Sequence, residues 1–367
     1  MTSADTARLL ERLRAREDGM DGDVREVYRH LGRAGVLAPS WPEEHGGRGG
    51  DFTETMVLLE ELVRHGVPQS LYYISVQIVG SLIMQSGSEE QKRELLPRLA
   101  SGELAACILF TEPEHGSDLA SVTARAEPDQ GGGWVLDGRK TYNLKTGYAD
   151  LALCVVRTDD ELNRYEGLTL FLVPLDAPGV TVRPMAALAG EQFHDVTLDQ
   201  VRVGPEALLG APGAGWSLIT RMFAAERSGL DYYARARHWL DLTAERLTDA
   251  GREPDSTELA DLARHRARLD AGRLLTCRAM QQLQEDRPDI ARASMSKWHC
   301  SETAQAISWW SLEVIGVPLL DPGRDEGVLE AAYREAPGMT ISGGASEVLL
   351  DIVTGARLLE DVETGGN

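Results

Sequence analysis

Apolar residues three and four apart, at Val24, Val27 and Leu31 and again at Met56, Leu59 and Leu62, make residues 21–102 helical in pattern. The prolines and glycines of residues 41–51 (WPEEHGGRGGD) interrupt that period as a loop. A further helix is expected over 88–99, opened by Ser88, Glu89 and Glu90. From Cys107 the pattern shortens to strand-like apolar runs at 134–136, 151–156, 168–173, 180–182 and 196–203. Asp137-Gly138, Pro178-Gly179 and Gly204-Pro205 read as the turns between them. Helical periodicity returns at Gly213, with long segments at 216–245, 257–285 and 288–315 and a last one at 346–359. The expected architecture is α+β. An N-terminal helical domain (1–106) precedes a middle antiparallel β-domain, sheet or barrel (107–208), and a C-terminal four-helix-bundle domain (209–367) follows.

Composition narrows the function more than the fold. The chain has 367 residues, with 37 basic against 58 acidic side chains and a formal charge of −21. Nucleic-acid and anionic-membrane partners both need a basic surface, so neither is expected. Residues 1–16 hold no apolar run of signal-peptide length and no later run approaches a membrane span, which points to the cytoplasm. Four cysteines, at 107, 154, 277 and 300, are far apart with no CxxC pair, so they read as buried free thiols and no metal site is expected.

The chemistry gathers around residues 110–121, FTEPEHGSDLAS, where an apolar run ends in hydroxyls, a glycine and exposed backbone amides. Such a strand end can hold a planar polar ligand by directional hydrogen bonds. Taken alone, Thr111 and Ser117 read better as turn caps than as ligand contacts. The stretch resembles the first sequence motif of the acyl-CoA dehydrogenase family, and the similarity continues through SWPEEHGG, LPRLASGE, GLTLFLVP, HDVTLDQVRV and ARASMSKWHCSETAQ. The resemblance implies that FAD is the cofactor. It places the hydroxyls of Thr111 and Ser117 on the flavin, Tyr142 packed beside it, and Gly116, Asn143, Ala345 and Glu347 among its contacts. Leu144 stands where many members have a threonine near the reactive flavin nitrogen, so a side-chain donor is lost there.

A second departure concerns the base. Residues 339–350 (MTISGGASEVLL) resemble the family stretch that carries a catalytic glutamate, but that position is Gly343. On the segment beginning at Trp216, helical spacing puts Glu226 within an apolar stripe of Ile219, Met222, Phe223, Leu230 and Tyr233. A carboxylate there is costly unless paired or functional. Arg227 is not in i to i+4 register with it, and an ion pair elsewhere in the bundle is the alternative. By resemblance, Glu226 matches the base of the isovaleryl-CoA and long-chain branches. The Gly343 amide matches the donor that polarises the thioester carbonyl, and Ser117, Phe223 and Arg227 fall on the substrate side. The implied reaction removes the pro-R α proton through Glu226 and a β hydride to flavin, giving a 2,3-enoyl thioester.

The implied partners are an acyl thioester, on CoA or on a carrier protein, and an electron-transfer flavoprotein or another acceptor. A homodimer or homotetramer is expected, with a heteromer open. Residues 248–266 lack the Arg-x-x-Phe-Gly element that reaches the FAD pyrophosphate of a neighbouring subunit, and residues 313–317 (EVIGV) alter a Gln-x-x-Gly-Gly segment that assists it. Two alternatives therefore stand beside the dehydrogenase: a flavin monooxygenase or oxidase on the same scaffold, and a weakly catalytic subunit of a heteromeric dehydrogenase.

Overall fold

The computed structural model describes residues 24–249, 253–321 and 325–364. The start of the expected first helix and residues 1–16 lie outside them. The chain up to Ala187, with Glu191–Met222, makes one compact unit; Leu188–Gly190 and the chain from Phe223 onward make the second.

The first unit opens with helices α1 (Val24–Arg33), α2 (Phe52–Arg64), α3 (Gln69–Tyr72 continuing through the π-wound Tyr73–Gly80 into Ser81–Ser86) and α4 (Glu89–Ala100). The Ser88 start signal acts as expected: its hydroxyl accepts from Gln91 N at 3.1 Å and Gln91 Oε1 accepts from Ser88 N at 2.9 Å, a reciprocal cap. Asp51 ends the glycine-rich loop by accepting from Thr53 N at 2.8 Å at the start of α2.

Strands β1 (Ala106–Leu109), β2 (Arg125–Pro128), β3 (Trp134–Leu144), β4 (Leu151–Arg157), β5 (Leu168–Pro174), β6 (Val180–Met185), β7 (Phe193–Val203) and β8 (Leu208–Leu209) form one sheet. Its order is β6-β7-β3-β2-β4-β5-β8, with β1 also on β4. The sheet is mixed, a correction to the expectation of purely antiparallel pairing: β1 and β2 both run parallel to β4. Asp137-Gly138 is not a turn either. Gly138, at φ +152°, sits at a bulge opposite β7, and a Cβ there would lie 2.4 Å from that of Ala124. The strand therefore carries on to Leu144, which delivers Tyr142 to the region of residues 110–118.

Cys107, Leu136, Cys154, Phe171, Val196 and Leu198 belong to the core of the sheet, and all four cysteines are free. Arg25 on α1 donates to Tyr148 O (2.7 Å), Asp150 Oδ2 (2.8 Å) and Glu103 O (2.7 Å), so one buried guanidinium ties the first helix to the strand connections.

Helix α5 (Gly215–Glu226) leads into α6 (Leu230–Asp249), α7 (Ser256–Gln284), α8 (Ile290–Ile315), α9 (Val328–Met339) and α10 (Ser346–Thr364). Within the second unit α8 is the central rod, packing on α6, α7, α9 and α10. Trp239, Leu240, Leu269, Ile307, Trp310 and Met339 are part of its apolar core. The single helix expected over 216–245 is in fact two. Gly229 takes φ +85°, and Ser296 on α8 donates to Ser228 O at 2.7 Å, so the chain turns between Glu226 and Leu230. Glu226 is thus the last residue of α5, and Leu230 and Tyr233 belong to a different helix from the stripe they were expected to share. Helix α9, which contains Pro337 and Gly338, was not among the expected segments, although Leu329, Ala332, Ala336 and Met339 are buried at helical spacing. Among the described residues no helix is long and apolar enough to cross a membrane.

A Cβ at Gly229 would lie 2.6 Å from Ser296 Oγ and 3.1 Å from Ser296 C and O. Gly229→Ala should therefore destabilise the protein by about 2 kcal/mol or more, adding overlap to the left-handed backbone penalty. The change should appear as a lower denaturant midpoint with an unaltered m value in urea titration.

Candidate active site

In the first unit, the loop after β1 is built around a buried ion pair. Glu112 is 4 % exposed and Lys140, on β3, is wholly enclosed. Lys140 Nζ donates to Glu112 Oε1 at 2.8 Å and to Phe110 O at 3.2 Å. Glu112 also accepts from Ala124 N (2.9 Å), Thr123 N (2.7 Å) and Thr123 Oγ1 (2.8 Å), which fills its acceptor sites. Burial by itself would raise this carboxyl, but the Lys140 charge and the donated hydrogen bonds outweigh it and hold the pKa below its ordinary value. Thr141 N donates to Thr111 O at 2.8 Å, completing the link from the loop to β3. Glu112 and Lys140 were not singled out from sequence, although the Thr-Glu-Pro context marks the glutamate.

What the loop leaves available is a set of donors. Among the described residues, the hydroxyls of Thr111 and Ser117 and the amides of Gly116, Ser117 and Asp118 make no hydrogen bond. A Cβ at Gly116 would meet nothing closer than Thr111 Cγ2, at 3.9 Å. Tyr142 is 63 % exposed at φ +55°, edge-on to Phe193 with ring centroids 6.3 Å apart. Asn143 is buried, and its Nδ2 donates to His194 O at 3.0 Å. Its main-chain carbonyl accepts from Thr146 Oγ1 at 3.3 Å.

In the second unit, the end of α5 meets the loop between α9 and α10. Glu226 is partly buried, and a Cβ built on Gly343 would stand 3.7 Å from Glu226 Oε1. Desolvation raises the Glu226 pKa, against the opposing pull of Arg227 and then Lys297. Arg227 is buried, stacks 4.1 Å from the Phe223 ring centroid and donates from Nε to Gly343 O at 3.1 Å. Gly343 and Gly344 take φ +67° and +109° in succession, a path suited to glycine.

The Tyr232 hydroxyl donates to Ser342 O at 3.3 Å. Because the trans peptide plane sets C=O and N–H on opposite sides, this bond aims the Gly343 N–H away from Tyr232. That N–H meets no acceptor among the described residues. Lys297, on α8 and absent from the expected site, is fully enclosed and donates to Met339 O (2.9 Å) and Gly344 O (2.8 Å). A lysine on a stripe of small buried residues (Ala293, Ser296, Cys300, Ala304) was the sequence signal that could have found it. Ala345 immediately precedes α10 and Glu347 lies in its first turn, where Glu347 is exposed and its neighbour Ser346 donates to Glu302 Oε1 at 2.5 Å.

Three models of one family match the chain in succession: acyl-CoA dehydrogenase N-terminal domain over residues 5–103, middle domain over 107–201 and C-terminal domain over 213–358. A protein named acyl-CoA dehydrogenase IpdE1, from Mycobacterium tuberculosis, is 30% identical over 89% of this chain and 85% of its own length. The chain belongs to the acyl-CoA dehydrogenase family. The structure titled Tcur3481-Tcur3483 steroid ACAD superposes with a TM-score of 0.83 at 31% identity, covering 98% of this chain and 93% of that one. The ChsE4-ChsE5 complex from Mycobacterium tuberculosis gives 0.82 at 29% identity, covering 96% and 95%.

An acyl-CoA dehydrogenase is an FAD-dependent oxidoreductase, and the first unit suits that cofactor. Unbonded amides and hydroxyls lie on one loop, and an exposed aromatic ring lies on the strand bonded to it through Thr141, which is donor chemistry that an isoalloxazine edge can use. The buried Glu112–Lys140 pair underlies this seat. Glu112→Gln should cost about 3–5 kcal/mol at neutral pH by leaving the Lys140 charge enclosed without its counter-ion. With a depressed folded pKa, the Glu112 contribution is present above the unfolded carboxyl value and fades as pH falls through the folded one. Urea titrations of wild type and variant should therefore converge in strong acid.

Proposed function

We propose that the chain catalyses α,β-dehydrogenation of an acyl thioester with Glu226 as the base, the arrangement of the isovaleryl-CoA and long-chain branches. Acyl-CoA is the natural substrate on this reading and an acyl-carrier protein the variant of it. The observation that carries it is the approach of Glu226 Oε1 to the site where a side chain on Gly343 would begin. The carboxylate thus serves from the end of α5 the space that a base on the loop would occupy.

Glu226 suits proton abstraction because desolvation has moved its pKa up towards the working range, while Arg227 and Lys297 keep the charged form accessible. The Gly343 N–H, aimed by the Tyr232 bond and unbonded, polarises the thioester carbonyl and so acidifies the α proton. Phe223 and Arg227 pack together on either side of Glu226 in the sequence and would line the substrate side of the base. Thr111, Gly116, Ser117, Tyr142 and Asn143 of the first unit would hold the isoalloxazine. FAD, when bound, supplies the acceptor for the β hydride. Electrons then leave to an electron-transfer flavoprotein or an equivalent acceptor.

A second reading rests on the assembly. Residues 248–266 lack the arginine element for a neighbour's FAD, and one similar structure is titled a complex of two differently named chains. On this reading a partner subunit of the same family completes the FAD site. If so, the chain purified alone is colourless, and co-expression with such a partner yields a yellow complex.

The base assignment is tested by Glu226→Gln. The variant should keep its bound FAD and lose about 10³-fold or more in kcat/KM, with no bleaching of the flavin on anaerobic titration with acyl-CoAs. The titration panel spans linear and ring-bearing acyl groups, since one similar structure is titled a steroid enzyme. Because the base must be ionised, wild-type kcat/KM should rise with pH through a limb displaced above the ordinary carboxylate range. Full activity of Glu226→Gln removes the assignment.

A further inference from the structure

We infer that Lys297 is a positioning residue of the proposed dehydrogenation, holding the loop that presents the Gly343 amide and making the ionised form of Glu226 accessible. The inference rests on the dehydrogenase reading and adds a residue that neither the base nor the cofactor motif contains.

The geometry is specific. Lys297 Nζ spans the loop, donating to Met339 O at its beginning (2.9 Å) and to Gly344 O just past the proposed oxyanion donor (2.8 Å). Arg227 takes the carbonyl between them, at Gly343, and Tyr232 takes that of Ser342. Four carbonyls of a six-residue stretch are therefore bonded to side chains, and the two bonded to Lys297 bracket the peptide whose N–H stays unbonded. Loss of Lys297 would free both ends of the bracket.

Its charge acts on the same place. Lys297 Cε would stand 3.8 Å from a Cβ at Gly343 and Glu226 Oε1 3.7 Å from the same point, so cation and carboxylate converge on it from two helices. The Lys297 ammonium also lies 5.1 Å from the Tyr232 ring centroid. The ionisable groups around the pair are Arg227 beyond the end of α5, Asp231, Tyr232 and Arg235 on α6 and Glu302 on α8. The loop itself contributes carbonyls.

Desolvation presses the Lys297 pKa down to about 8, against Glu226, which favours the cation. Lys297 is therefore still mostly charged at neutral pH and begins to lose its proton just above it. Removing it should raise the Glu226 pKa further, because one of two nearby cations is gone.

Lys297→Met tests this in the complete FAD-loaded protein. The acidic limb of kcat/KM should move up by about one pH unit, and kcat should fall by about tenfold or more even on the plateau, where Glu226 is ionised. A uniform loss of rate with the limb in place would show a merely structural role and overturn the inference. The second readout needs no substrate: infrared pH titration of the Glu226 carboxyl band, assigned by its disappearance in Glu226→Gln. The band should titrate at higher pH in Lys297→Met, and an unmoved band overturns the inference whether or not Glu226 is the base. A moved band beside a fully active Glu226→Gln supports the coupling and removes only the base assignment. If Lys297→Met does not fold, Lys297→Gln is read in the same way: its Glu226 band should titrate at higher pH than in the wild type, and an unmoved band overturns the inference.

Discussion

Two consecutive residues of α8, Ser296 and Lys297, fix both segments that carry the candidate chemistry. Ser296 holds the carbonyl of Ser228 and so secures the turn that ends α5 at Glu226. Lys297 holds Met339 O and Gly344 O and so secures the glycine loop. Both are buried on the helix that packs against every other helix of the second unit from α6 to α10. The spacing between the carboxylate and the loop is thus set by one rigid element, which is how an amide and a carboxylate can be kept in register without touching each other.

The same construction explains which parts were legible in the sequence. Ser88 and the period of 3.6 residues announced α4, and the long segments at 257–285 and 288–315 matched α7 and α8 closely, because capping and periodicity are local. The continuous helix over 216–245 was misread because Gly229 resembles a tolerated interruption until its neighbour is known. Its left-handed conformation is enforced by Ser296, more than sixty positions away. Gly138 failed in the opposite sense: it looked like a turn and proved to be a bulge, since pairing with β7 continued past it. Parallel pairing of β1 and β2 with β4 depends on strand order, which no single run of residues records.

The candidate residues were legible to different degrees. Motif residues such as Thr111 and Ser117 stood out through their neighbours, and Glu226 stood out as a carboxylate among apolar residues. The stripe that drew attention to Glu226 was nonetheless incorrectly drawn, since Leu230 and Tyr233 lie beyond the break. Lys140 and Lys297 escaped notice because a lysine in a list of residues reads as surface. Enclosure in the fold is what turns each into a buried charge with fixed acceptors.

A physical constraint also links the glycine to the glutamate. A Cβ on Gly343 would lie 2.9 Å from the Tyr232 hydroxyl, so the side-chain direction that a base on this loop would use is already occupied. A second carboxylate placed there would face Glu226 at short range, and like charges that close raise each other's pKa until one is neutral. The space therefore admits one carboxylate, and Arg227 and Lys297 supply cations on its flanks. On this argument the absence of a side chain at 343 is the steric and electrostatic condition for an ionisable Glu226. Gly343 has no side chain to act as a base, and its N–H is left unbonded while the carbonyls around it are bonded to side chains.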